Sequence, residues 1–261
     1  MNKTKVVCLG EALIDRIMNK LNEEFTDFLG GAPANVACAL RKLKIDSVFI
    51  GCLGSDEFSK KFIEQFNELE VNLDFLQLDK NLPTRIVKVD RDNSGDRYFS
   101  GFCGGHQTTF ADEAIRKSLI QEDRSLLEEI FLETKFFVSG TNILSSSISA
   151  DSLHFLLQIA KKFDVKIVID LNWREVFWNK SSSHKLNERI DPIDKIMDFL
   201  SFANILKLSK EEADIFFKNK SPHQISRSFP KSPDVIITDG GDPILWYING
   251  FEGISDFKYP G

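Results

Sequence analysis

Short apolar runs alternate along the chain with longer stretches in which apolar residues recur at helical spacing. The runs Val6–Leu9, Val48–Ile50, Phe136–Val138, Ile167–Ile169, Ile205–Leu206 and Val235–Ile237 are rich in Val, Ile and Phe. Most lack polar alternation, the pattern of strands covered on both faces. Between them the spacing predicts helices over Ala34–Leu43, Glu57–Leu69, Ala150–Phe163, Pro192–Phe202 and Lys210–Phe217. In Ala150–Phe163, for example, Leu153, Leu156, Leu157 and Ala160 line one face, with Ser149 or Asp151 expected to cap its start. Strands and helices in alternation predict a mostly parallel α/β sheet with right-handed crossovers.

Two segments break the alternation. Arg85–Val89 and Arg97–Phe102 flank Asp90–Asp96, whose Asp-Asn-Ser-Gly is turn chemistry, and they predict an antiparallel hairpin outside the main sheet. Ile244–Ile248 and Phe251–Ile254 flank Asn249-Gly250, the preferred two-residue hairpin turn. Asn179–His184 is expected to be a polar loop. No repeat or composition shift marks a linker, so the 261 residues are expected to form a single domain (1–261).

Composition narrows the partners. Thirty-three Lys+Arg against thirty-nine Asp+Glu give a net charge of −6 with no basic stripe, which argues against nucleic-acid and anionic-membrane surfaces. No apolar stretch approaches the roughly 18–20 residues that span a bilayer. Glu11 and Asp15 come too early for a secretory leader. The cysteines Cys8, Cys38, Cys52 and Cys103 show no paired spacing and are expected to be reduced thiols in a cytoplasmic protein. The four histidines lack ligand spacing, and no Walker-type phosphate loop is present.

The most informative chemistry is Leu29-Gly30-Gly31-Ala32-Pro33-Ala34-Asn35-Val36-Ala37, leading into helix-period residues. Paired glycines let backbone approach a ligand without a Cβ in the way, and Asn35 offers donor and acceptor at a helix start. A polyol needs this kind of rigid, mixed site; a plain Gly/Pro turn capping a helix is the alternative. After the strand-like Ile167–Ile169 come Asp170, Asn172 and Arg174, where open sheets present reactive groups. Arg174 suits either a phosphate or a structural salt bridge. Ser209 with Glu212 reads equally as a helix capping box.

GGAPANVACAL, preceded by VVCLGEALID and followed by FIGCLGSDEF, resembles the PfkB (ribokinase-like) carbohydrate kinase family, in particular its fructokinase-like branch. So, in order, do PTRIVKVDRDNSGDRYF, DLNWREVFW, ILKLSKEEADIF and VIITDGG, which together cover nearly the whole chain. The resemblance implies a three-layer ribokinase-like α/β fold with a small β lid contributed by residues of about 11–30 and 82–105. It implies ATP and Mg2+ as cofactors and a sugar between lid and core, with a possible homodimer through the lid. Carried over by position, Asp15, Gly31, Asn35, Phe102, Asp170 and Arg174 would meet the sugar. Lys207, Ser209, Glu212, Thr238 and Gly240 would meet the nucleotide, Glu212 reaching the metal through water. Ser209 stands where the family's Asn-x-x-Glu pattern has asparagine, which weakens any metal-water contact there.

The implied activity is ATP-dependent transfer of the γ-phosphoryl group to a sugar primary hydroxyl, most naturally of fructose or a related keto-sugar. A nucleoside kinase of the same fold and a non-catalytic sugar-binding protein are the alternatives. The resemblance also implies a catalytic aspartate in a Thr-Gly-Ala-Gly-Asp motif, and none is found before Gly261. Thr238-Asp239-Gly240-Gly241-Asp242 comes near it, but the residues after Asp242 predict a hairpin rather than the required helix. The base is therefore expected beyond Gly261, in a chain read as C-terminally truncated, and activity of the 261 residues themselves is doubtful on that expectation.

Overall fold

The apolar N-terminal run becomes a strand, β1 (Lys5–Leu9), buried from both sides. Val7 and Leu9 point into one apolar cluster, Val6 and Cys8 into the other. This two-sided burial is why the run shows no polar alternation. The computed structural model describes residues 5–19, 24–91, 97–104, 108–178 and 192–255. Asn179–His184 and most of the Asp90–Asp96 turn lie outside the described residues.

After β1 come β2 (Leu13–Asn19), β3 (Glu24–Gly30), α1 (Ala32–Lys42), β4 (Asp46–Gly54), α2 (Glu57–Glu68) and β5 (Leu76–Asp79). Then follow β6 (Ile86–Arg91), β7 (Arg97–Phe102), α3 (Lys117–Glu122), α4 (Arg124–Glu133), β8 (Thr134–Gly140), α5 (Ser147–Lys162) and β9 (Lys166–Asp170). The last described part holds α6 (Pro192–Leu200), β10 (Ile205–Ser209), α7 (Lys210–Phe217), α8 (Pro222–Ser226), β11 (Asp234–Asp239), β12 (Asp242–Ile248) and β13 (Phe251–Ile254).

Nine strands form the main sheet in the order β13-β12-β11-β10-β9-β8-β1-β4-β5. The neighbours from β11 to β5 pair in parallel, and β12 and β13 extend the edge antiparallel. The second hairpin thus continues the main sheet, while the first leaves it as expected. Helices α1 and α2 cover one face through Ala34, Ala37, Phe62 and Phe66. Helices α3, α4 and α5 cover the other through Ile120, Leu127, Leu153 and Leu156. The α/β three-layer expectation holds.

A second sheet, ordered β3-β2-β6-β7, stands apart from the first. In it β2 pairs in parallel with β6, Asp15 opposite Val87, and antiparallel with β3, Asp15 opposite Phe28. Residues 13–30 and 86–102 build it, close to the expected lid segments.

One local expectation is corrected. Helix α5 begins at Ser147 rather than at Ala150, and neither Ser149 nor Asp151 caps it. Ser149 is buried within the first turn, where its hydroxyl donates to the Asp112 carbonyl at 3.0 Å and accepts from the Ile115 amide at 3.1 Å. A tertiary contact has taken the hydroxyl that propensity assigned to the cap.

Candidate active site

The chain runs from β1 to β4 on one side of the sheet and returns as β8 on the other, so β1 and β8 flank the point where strand order reverses. Ligands of open α/β sheets bind outside the carboxyl ends of strands at such a point. The sequence candidates gather along that rim: Thr238 near the end of β11, Ser209 at the end of β10, Asp170 at the end of β9. Beyond β1, Asp15 stands on lid strand β2, and Gly31 and Asn35 follow lid strand β3 at the start of α1.

On the lid side, Gly31 is the N-cap of α1 with φ of 100°, and a Cβ there would come within 2.4 Å of the Glu11 carbonyl oxygen. The position therefore demands glycine. Gly30 has a different reason: a Cβ would meet Asp15 Oδ2 at 2.4 Å, so its absence lets the carboxylate lie across β3. The Asn35 amide donates to the Gly31 carbonyl at 2.9 Å, and the Asn35 side chain is exposed on the first turn of α1. No side chain caps this helix, which leaves its N-terminal amides to other acceptors. Asp15 thus meets the glycine pair at Gly30, with Gly31 and Asn35 following at the start of α1.

Phe102, expected to meet the sugar, is only 4% exposed and packs against Phe110 and Phe177 at ring separations of 5.6 and 5.4 Å. It is a wall of the lid's root.

The second group of candidates is knitted together by Glu212. Its Oε1 accepts from the Trp173 amide and its Oε2 from the Ser209 amide, both at 2.7 Å. Ser209 Oγ accepts in return from the Glu212 amide at 3.2 Å, completing a capping box on α7. The carboxylate is buried and ties the loop after β9 to the start of α7. We expect Ser209→Ala to cost about 1 kcal/mol in denaturant unfolding without Mg2+. A loss seen only with Mg2+ present would point to a metal-linked role instead.

Arg174 Nη1 donates to the Trp173 carbonyl at 3.1 Å, and both residues line an open cleft of about 440 Å3 with Glu175, Glu211, Glu212 and Ile215. Asp170 and Lys207, assigned by sequence to different ligands, face each other, with Lys207 Nζ 3.1 Å from Asp170 Oδ1. Trp173 and Trp178 stack at 5.6 Å, as packing residues do. Gly240 turns the chain between β11 and β12 with φ of 52°, and a Cβ there would meet nothing within 4 Å. Asp242 opens strand β12, opposite Asp239, so the near-motif Thr238–Asp242 does not start a helix.

A polar cluster that the sequence reading missed lies at the reversal point. Glu11, 5% exposed, accepts from Asn142 Nδ2 at 3.4 Å. Burial pushes the Glu11 carboxyl up to about 7, with Asp112 adding to the rise against lowering by its hydrogen bonds. Arg85, 1% exposed, is paired with Asp112 and Glu113. The only sequence signal was a Gly-Glu pair directly after the first apolar strand.

A mostly parallel sheet with helices on both faces and a separate small β-sheet defines a lidded α/β class of fold. Comparison with known proteins narrows that class. Residues 3–257 match the pfkB family carbohydrate kinase description, and the chain belongs to this family. Two Arabidopsis thaliana proteins, "Probable fructokinase-6, chloroplastic" and "Probable fructokinase-5", are 27% and 28% identical to it over 95% and 97% of the chain. The chain spans 62% of the length of the first and 75% of the second. The solved structure of fructokinase with bound ATP from Xylella fastidiosa superposes with a TM-score of 0.79 at 27% identity, covering 97% of this chain and 73% of that one.

Proposed function

We propose that the protein is an ATP-dependent sugar kinase that transfers the γ-phosphoryl group to a primary hydroxyl of fructose or a related keto-sugar. The observation that carries this reading is that Asp15, on lid strand β2, sets its carboxylate at Gly30, next to the Gly31 bend that opens α1, in a chain of this family. The Asp15 carboxylate accepts hydrogen bonds from sugar hydroxyls, and the glycine bend lets the ring approach backbone. Arg174, on its cleft with Glu211 and Glu212, and Asp170, paired with Lys207, would meet the sugar from the core side. Closing the lid excludes water, so that the phosphoryl group goes to the sugar.

ATP fits the rim formed by β10 and β11. Thr238 and the unobstructed Gly240 turn offer a hydroxyl and open backbone to phosphates, with Lys207 and Ser209 alongside. Among the described residues no group of three or more His, Cys, Asp or Glu could hold a metal. Mg2+ would be carried by the nucleotide phosphates, with Glu212 reaching it through water. Bound there, such a metal would supply neutralisation of phosphate charge. Asp242 is no part of this proposal, because it stands in a strand.

The same reading includes a homodimer through the lid. Met18 and Phe25, opposite each other on β2 and β3, are 41% and 54% exposed on one face of the lid. A second copy would cover them. Phe25→Asp is expected to convert a dimer to a monomer in light scattering; an unchanged mass argues against this interface. A cytoplasmic setting is also proposed, supported by four free cysteines, three of them buried.

The activity is tested by coupled ADP release with fructose, ribose and keto-deoxy-gluconate, in a chain that also carries the catalytic aspartate the family resemblance implies. Sugar-dependent turnover with fructose is expected. ADP release that no sugar increases would sink the proposal.

A further inference from the structure

We infer that Arg85 is a positioning residue that fixes the lid's root on the core and so sets Asp15 against the Arg174 loop; this rests on reading the cleft as the sugar site. Arg85 immediately precedes β6, and its carbonyl accepts from the amide of Ile14, the neighbour of Asp15, at 2.8 Å. Its guanidinium reaches out of the lid altogether. Nε donates to Asp112 Oδ2 at 2.8 Å and Nη2 to Glu113 Oε1 at 2.5 Å, both on a short 3-10 turn of the core (Ala111–Ala114).

Three aromatic rings surround the same charge. Its carbon lies 4.9 Å from the Phe102 ring centre, 4.5 Å from that of Phe110 and 4.4 Å from that of Phe177. Phe102 belongs to lid strand β7. Phe177 belongs to the turn that starts at Arg174, its amide donating to the Arg174 carbonyl at 3.0 Å. Through its backbone carbonyl and its rigid fork, this one residue therefore touches both arms of the lid, the core turn and the loop that carries Arg174.

The chemistry calls for arginine specifically. A guanidinium is planar, so it can hold two carboxylates at its edge while rings pack on its faces; a lysine ammonium offers one point charge. A buried ion pair contributes little net stability, but losing one partner leaves an uncompensated charge, and the pair holds one arrangement in register. Arg85 also borders a cavity of about 10 Å3 with Gly10, Glu11 and Asn142 at the strand-order reversal, and its buried Nη1 has no hydrogen-bond partner among the described residues. Thr84 doubles the anchor. Its amide and hydroxyl donate to Asp56 at 2.8 and 2.9 Å, and its Oγ accepts from the Gly54 amide at 3.0 Å. Any opening of the lid thereby pivots about the anchored Thr84–Arg85 pair.

The test compares amide hydrogen exchange in the wild-type chain and Arg85→Lys, without sugar, and then fructose and ATP binding by calorimetry. Exchange at Val87 and Val89 is expected to quicken about tenfold, with Val168 and Ile169 on β9 unchanged. Fructose affinity should fall about tenfold while ATP affinity stays within about twofold. Equal quickening in lid and core, or none in either, overturns the inference, as does an equal loss of both affinities. If Arg85→Lys does not fold, Phe177→Leu, which keeps both ion pairs, is read the same way with a smaller lid-only change expected. A wild-type chain that binds no sugar overturns the sugar-site reading; the exchange comparison still decides the role of Arg85 in holding the lid.

Discussion

Replacing Asp15 by asparagine is expected to weaken fructose binding about a hundred- to a thousandfold, leaving ATP binding and the fold intact. The substituted side chain has the same shape but turns a neutral amide toward the hydroxyls that the carboxylate accepts from. Hydrogen bonds to a charged partner contribute roughly 1.5–3 kcal/mol each, and a carboxylate can serve two hydroxyls. At about 1.4 kcal/mol per decade, losing most of that amounts to two to three orders of magnitude. The side chain needs no rearrangement, because Gly30 already leaves it room. Calorimetric titration with fructose reads the effect directly. Affinity within about threefold of wild type, in a folded variant, would remove Asp15 from the site and with it the main support for the sugar reading.

The second large effect concerns stability. Glu11 sits in the folded chain with its carboxyl raised from 4.5 to about 7, chiefly because burial penalises the charged form. Folding therefore takes up a proton between those values, and the stability associated with the neutral acid is complete below about 4.5. It is lost as pH rises toward 7 and stays lost above. At 1.36 kcal/mol per pKa unit the cost approaches roughly 3 kcal/mol. Glu11→Gln removes the charge and keeps the shape. The variant should match wild type near pH 4 and exceed it at pH 8 by up to about 3 kcal/mol in denaturant unfolding. A difference that does not change with pH would show that Glu11 does not titrate in this window.

The core was legible because its signals are local. The limits of helix α7, Lys210–Phe217, are the ones the pattern predicts, since Ser209 and Glu212 mark its start within four residues. Strand β13 also has its predicted limits, fixed by Asn249-Gly250. Strand β3 gave no such signal: its first five residues, Glu24–Phe28, are all exposed, so neither alternation nor an apolar run betrays it. Only the resemblance pointed to that segment.

The site divides along the same line. Asp15, Gly31 and Asn35 sit within or beside compact motifs, so the sequence could propose them. The arginine cluster was not, because its members are far apart in sequence: 27 residues separate Arg85 from Asp112, and 131 separate Glu11 from Asn142. No short-range pattern encodes such a meeting. Lys207 shows a related limit. The resemblance placed it on the nucleotide side, yet the register between β9 and β10 sets it directly opposite Asp170.

The central place of β1 has a consequence during synthesis. Cys8 pairs with Phe49 on one side and with Val138 on the other. Polypeptide emerges at about 5–20 residues per second, so the second edge waits on the order of ten seconds for its neighbour. During that interval an apolar strand is half docked beside the growing chain, open to capture by another nascent copy. Slowing translation between β4 and β8 should therefore raise the yield of aggregated product, and a chaperone supplied early should reverse it.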